Sequence, residues 1–242
     1  MKAISTVNLT KEYKKLTAVD SLNLEIEEGE LFALLGVNGA GKTTSIRMLS
    51  CLSSPTRGTA LVDGKDVQTD SSSVKSVIGI STQDTAVAAN LTVEENLRFM
   101  AGITAPSTVA KSEINDRAEK MISLFNMEEV RNKKAKTLSG GWQRKLSIAM
   151  ALIGDPKILY LDEPTLGLDV LARRELWKLI NNLKGRITIV LTTHYMEEAE
   201  ALADRIGIMI KGRLEAIGTV SELEEMTGKK GLEEVFVSIA EK

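Results

Sequence analysis

The sequence is poor in several things at once. Of its 242 residues one is cysteine, Cys51, one is histidine, His194, and four are proline. A single thiol excludes a disulfide scaffold and fits a reducing compartment. Aromatic residues are few (two Trp, three Tyr and four Phe), so each one beside a motif carries information. No uncharged stretch approaches the roughly 20 apolar residues that a bilayer crossing requires. A segment such as 99–110 is short and broken by Gly, Thr and Pro. An excess of one charge is lacking too: 31 Lys and Arg face 33 Asp and Glu, a net charge of −2. That balance argues against a nucleic-acid partner, whose binding rests on neutralising phosphates. The first residues alternate polar and apolar with no apolar run behind them, so no signal peptide is expected. What is present is 43% hydrophobic and 26% charged, which excludes disorder and points to a soluble intracellular α/β protein.

Hydrophobic spacing divides the chain. Leu22, Leu24 and Ile26 alternate with polar neighbours, whereas 31–35 is a continuous apolar run, suited to a strand buried on both faces. That run enters a glycine-rich turn and then a helix from Lys42 to about Cys51. Further strands are expected near 61–65 and 77–81. From about 85 to 154 the spacing is helical, over 93–100, 113–125 and 141–153, with no convincing strand. Strands then return at 158–161, 187–192 and 206–210, separated by helices over 171–183 and 196–203. The predicted organisation is an α/β core over 1–84 and 155–220, a helical insertion over 85–154, and a C-terminal extension over 221–242. In the extension, 223–226 reads as a helix and 235–239 as an apolar element packing back on the core. The basic cluster Arg131, Lys133, Lys134 and Lys136 has no interleaved aromatics and reads as solvated surface.

Three motifs carry chemistry. Gly36-Val37-Asn38-Gly39-Ala40-Gly41-Lys42-Thr43, followed by Thr44, fits GxxxxGK[ST] with a strand before it and a helix after it. Its glycines let successive N–H groups converge on phosphates, and the helix start adds dipole and donors. Lys42 suits the β- and γ-phosphates and Thr43 suits Mg²⁺. The apolar strand 158–161 ends in Asp162 and Glu163, at the sheet edge where open α/β folds bind ligands. Asp162 is placed to hold Mg²⁺, and Glu163 to orient or deprotonate water. Both acids could otherwise cap the turn at Pro164. The third motif is Leu138-Ser139-Gly140-Gly141-Trp142-Gln143. Ser139 is a good N-cap for the helix that follows, yet two glycines at a helix start are costly unless something must approach closely. One nucleotide on one chain does not need two anion-binding helix starts.

With these residues the sequence resembles the ATP-binding-cassette (ABC) ATPases, over roughly residues 3–220 and with the motifs in the family's order. The resemblance implies a P-loop NTPase (RecA-like) core, an antiparallel β subdomain and an inserted α-helical subdomain. It implies ATP and Mg²⁺ as cofactors, and two cassettes packed head to tail, as a homodimer or heterodimer. The nucleotide would contact Tyr13, stacked on adenine, and residues Gly36, Val37, Asn38, Gly39, Ala40, Gly41, Lys42, Thr43 and Thr44. Glu163, His194, Lys42 and Gln83 would be catalytic, and Thr43, Gln83 and Asp162 would serve the metal. Ser139, Gly140, Gly141, Trp142 and Gln143 would close on the γ-phosphate of the opposing subunit, and Asp169 would lie on the loop that crosses the interface. Tyr13 could equally be a half-buried strand-end tyrosine, and Asp169 an N-cap. Two departures stand out: Trp142 occupies the position of the family's commonest signature glutamine, with Gln143 after it, and Val170 stands where proline often follows the aspartate. The implied function is the ATPase subunit of a transporter, peripheral on the cytoplasmic face of the cell membrane and coupled to membrane-spanning permease subunits through the region 91–102. The stretches 193–205 and 216–223 resemble bacterial exporter cassettes for drugs, lipids or sodium. The alternatives are a non-transport cassette ATPase acting on ribosomes or DNA, or a generic P-loop kinase or GTPase, which leaves Leu138–Gly141 and His194 unexplained.

Overall fold

The computed structural model describes residues 1–105 and 108–241. Pro106 and Ser107, within the expected insertion 85–154, and Lys242, the last residue of the expected extension 221–242, lie outside the described residues. In chain order the elements are a hairpin of β1 (Lys2–Tyr13) and β2 (Leu16–Glu27), then β3 (Leu31–Leu35), α1 (Lys42–Leu49), β4 (Arg57–Val62), β5 (Lys65–Asp66), α2 (Ser71–Lys75) and β6 (Ile78–Ser81). Next come α3 (Val93–Thr104), α4 (Lys111–Leu124) and α5 (Gly140–Leu152), joined by two short 3₁₀ turns. The chain ends through β7 (Ile158–Asp162), α6 (Val170–Leu183), β8 (Thr188–Thr193), α7 (Met196–Leu202), β9 (Arg205–Ile210), β10 (Arg213–Gly218), α8 (Val220–Thr227) and α9 (Leu232–Ala240).

Two sheets form. One is antiparallel, in the order β2-β1-β4-β5; the other is ordered β10-β9-β3-β8-β7-β6, parallel throughout except for β10 at its edge. β3 shows why its run has no polar member. Leu31, Ala33 and Leu35 enter the core under the helical layer, while Phe32 and Leu34 enter the core between the two sheets. This is the α/β P-loop fold. The carboxyl ends of β3, β6, β7 and β8 deliver Gly36, Gln83, Glu163 and His194 to one edge.

Two features differ from the sequence reading. β1 is a twelve-residue strand, and β10 returns at the sheet edge after the turn Lys211–Gly212. Neither shows a continuous apolar run, because each strand buries only part of its side chains and β10 lies at a sheet edge. The 235–239 element is the body of an amphipathic helix, α9, which buries Leu232, Val235, Phe236 and Ile239. In the insertion, α3 begins with a capping box between Thr92 and Glu95 and buries Val93, Leu97 and Ala101. Its opposite stripe presents Phe99 and Ile103 at 58% and 60% exposure.

Candidate functional site

The turn after β3 is shaped by close approach. A Cβ on Gly36 would lie 2.4 Å from the Met209 carbonyl oxygen, and one on Gly41, whose φ is +104°, would lie 2.4 Å from that of Ala18. The turn is fastened to β9 and β10, because the Gly212 N–H donates to the Ala40 carbonyl at 3.0 Å. Gly41 precedes α1 with no side-chain cap, leaving the helix-start N–H groups for a ligand. These residues floor a cleft of about 680 Å³ lined by Tyr13, Asn38–Thr44, Gln83, Glu163 and His194.

Lys42 and Glu163 are 5% and 6% exposed and face each other. Lys42 Nζ donates to the Gly36 carbonyl at 2.7 Å and lies 3.1 Å from Glu163 Oε1. The other carboxylate oxygen, Oε2, is 2.5 Å from His194 Nδ1. Glu163 adopts a left-handed conformation, φ 50°, held by its N–H donating to Thr192 O and Thr192 Oγ1, each at 3.1 Å. Thr192 Oγ1 also donates to Asp162 Oδ1 at 2.6 Å, and Thr43 Oγ1 donates to the same oxygen at 3.0 Å. Thr43 and Asp162 therefore converge as hard oxygen donors, with Gln83 in the adjoining cleft. That donor chemistry suits Mg²⁺, which takes few protein ligands when phosphates and waters supply the rest. No cluster of three or more His, Cys, Asp or Glu able to hold a metal alone occurs among the described residues.

Gln83 is held from an unexpected direction. Arg144, in the first turns of α5 and 5% exposed, donates from Nη1 to the Thr82 carbonyl at 2.8 Å and from Nη2 to the Gln83 carbonyl at 2.7 Å. Burial draws the guanidinium below its ordinary pKa, against the opposing pull of Asp162 and Asp84. A buried pair of serine hydroxyls, Ser81 and Ser147 at 2.9 Å, adds a second tie between β6 and α5. Sequence reasoning passed over Arg144 and Thr192. The available signal was that Arg144 shares a helix face with Ile148 and Ala151, at i, i+4 and i+7.

The segment 139–143 does not reach this cleft. Ser139 occupies the N-cap position of α5, but its hydroxyl makes no capping bond and is exposed, so the alternative reading of Ser139 as a capping hydroxyl is not what the structure shows. Gln143 turns inward, its amide donating to the carbonyls of Ala135 and Leu138 at 3.2 Å each. Trp142 lies under Lys145, whose Nζ is 4.4 Å from the ring centre. The start of α5 packs on the start of α6: a Cβ on Gly141 would lie 3.2 Å from Ala172 Cβ. Asp169 caps α6 through the N–H groups of Leu171 and Ala172, both at 2.9 Å. Tyr13 lies at the end of β1, half exposed in the cleft wall, with Lys11 Nζ 5.1 Å from its ring centre.

A family model described as ABC transporter matches residues 19–166. The phospholipid-transporting ATPase ABCA3 of Homo sapiens is 41% identical over 215 residues, 89% of this chain and 12% of that protein. The probable multidrug ABC transporter ATP-binding protein YbhF of Escherichia coli (strain K12) is 40% identical over 223 residues, 91% of this chain and 38% of that protein. The chain thus spans a small part of the curated relatives it matches. Among solved structures, the ATP-binding cassette MJ0796 in a dimeric post-hydrolysis state bound to ADP and Pi superposes with a TM-score of 0.81 at 28% identity, covering 89% of this chain and 98% of that one. An ATP binding subunit of an ABC transporter gives a TM-score of 0.86 at 27% identity, over 98% of this chain and 99% of that one.

Proposed function

The chain belongs to the ABC transporter family and is an ATPase cassette; from that premise we propose that two cassettes close head to tail on ATP and drive export through membrane-spanning permease subunits. The observation that carries this reading is the separation of the Ser139–Gln143 segment, exposed at Ser139 and Gly140, from the Lys42 cleft of its own chain, with the Ser139 hydroxyl left open. A second cassette supplies the missing side of the site. In support, MJ0796 forms a dimer, and relatives include a phospholipid-transporting ATPase and a probable multidrug transporter protein.

In this mechanism the γ-phosphate of ATP takes Lys42 Nζ from Glu163 Oε1. The freed oxygen then orients a water for in-line attack and accepts its proton. His194 keeps Oε2 in place and turns its other ring nitrogen toward the phosphate. Lys42, with Ser139 of the opposing copy, stabilises the charge that develops on the phosphoryl oxygens. Thr43, Asp162 and Gln83 would hold Mg²⁺, which would supply positive charge to the phosphates. Tyr13 stacks on the adenine.

We assign residues 1–84 and 155–220 to the nucleotide-binding part, 85–154 to the part that carries Ser139–Gln143, and 221–242 to an extension. Phe99 and Ile103, the exposed apolar stripe of α3, provide the docking face for a permease. Among the described residues no helix is long and apolar enough to cross a membrane; through that partner the cassette would sit on the cytoplasmic face. The deciding experiment is Glu163→Gln with ATP and Mg²⁺: a stable doubling of mass in gel filtration, reversed by ATP removal, is expected. A variant that stays monomeric overturns the head-to-tail reading. Purification from solubilised membranes tests the permease, and a solute-binding protein in the same complex would contradict export.

A further inference from the structure

Glu198 of α7 is fully buried, at 0% exposure, four residues beyond His194. Its Oε1 accepts the indole N–H of Trp177, on α6, at 3.0 Å. The hydroxyls of Thr193 and Thr165 lie beside the same carboxyl. Each belongs to a segment that carries the chemistry. Thr193 immediately precedes His194, and its Oγ1 accepts the Tyr195 N–H at 3.0 Å. Thr165 is buried two residues after Glu163, where the loop to Asp169 begins. Glu198 Oε2 and Thr165 Oγ1 are both buried and have no other hydrogen-bond partner.

A carboxyl in such a place does not serve stability, because a well-packed apolar side chain of similar volume holds a core at least as well. Burial pushes Glu198 above the usual carboxylate range, and the charge on Glu163 acts in the same direction. What the carboxyl provides is direction: one oxygen is fixed to α6 by the Trp177 indole, and the Thr165 and Thr193 hydroxyls lie beside the same group. We propose that Glu198 is a positioning residue for hydrolysis, tying Trp177 of α6 to the Thr165 and Thr193 hydroxyls, so that the loop 164–169 and the His194 segment move as one unit. The inference rests on the assignment of Glu163 to the attacking water.

The test compares steady-state ATP hydrolysis by the full chain and its Glu198→Gln, Glu198→Ala, Thr165→Val and Glu163→Gln variants. Gln can accept from Trp177 and donate to Thr165, so Glu198→Gln should keep kcat within about threefold of the parent. Glu198→Ala and Thr165→Val should each lower kcat about tenfold or more, with KM for ATP within about twofold, because misplacement away from the binding groups costs rate and not affinity. Parental kcat in either variant, a parallel rise in KM, or a Glu198→Gln enzyme as slow as Glu198→Ala overturns the proposal. Should Glu198→Ala fail to fold, the near-isosteric Thr165→Val decides alone. If Glu163→Gln turns over normally, the assignment of Glu163 fails; if it is inactive while Glu198→Ala is normal, only the present inference fails.

Discussion

Glu163 is occupied at both oxygens, by Lys42 and by His194, and that fixes what its removal does. Glu163→Gln keeps the shape and loses the proton acceptor, so turnover falls by about 10² or more while ATP binding persists; phosphate release and a nucleotide titration together check it. Lys42 cannot be replaced as cheaply, since its ammonium meets both the Gly36 carbonyl and the acid. Tyr160 offers a contrast on the strand that ends in these acids. Its hydroxyl is completely buried and has no hydrogen-bond partner, and burial pushes the phenol far above its usual range. An unbonded buried hydroxyl costs about 1–3 kcal/mol. Tyr160→Phe therefore leaves stability unchanged or raises it by about 1 kcal/mol, read as an equal or higher midpoint in urea. A fall in that midpoint would show that the hydroxyl has a partner in solution.

At the scale of elements, α6 and α5 are each set by one polar residue at their first turns. Asp169 caps α6, so Asp169→Ala costs about 1 kcal/mol, whereas Asp169→Asn retains the cap and loses only charge. If Asp169 acts solely as a cap, thermal stability separates the two variants and ATP turnover does not; a role across an interface slows both. The cap was legible in the sequence, because Asp before an apolar helical pattern is itself a cap signal. β3 was legible for a similar reason, since a strand buried on both faces has no polar member. That Ser139 leaves its hydroxyl unbonded at the N-cap position was not legible, because composition at a helix start does not say whether the side chain turns inward. For Arg144 the helix-face spacing signalled only that it turns inward; what it holds was not legible, since its contacts reach back 61 and 62 positions. Glu198→Gln should also show its environment through pH. A carboxyl raised by folding contributes stability that is complete below its unfolded pKa and lost as pH rises through the folded one. The stability of Glu198→Gln relative to the parent therefore increases from acidic to neutral pH, measured by parallel denaturant melts.

At the scale of the whole molecule, the nucleotide cleft and the 139–143 segment lie apart on one chain, with a mechanical link between them. Arg144 holds the Thr82–Gln83 backbone from the helix that begins at Gly140. In a head-to-tail pair those two ends serve different nucleotides: Gln83 looks into the cleft of its own chain, while the start of α5 faces the cleft of the other. The guanidinium is then a coupling between two separate binding events. ATP hydrolysis should rise with ATP concentration with a Hill coefficient above one. Arg144→Ala, freed of two charge-assisted bonds, should return it toward one while the half-saturating concentration changes little. In such a pair, a side chain that looks like local scaffolding within one chain would be the route by which each half registers whether the other is loaded.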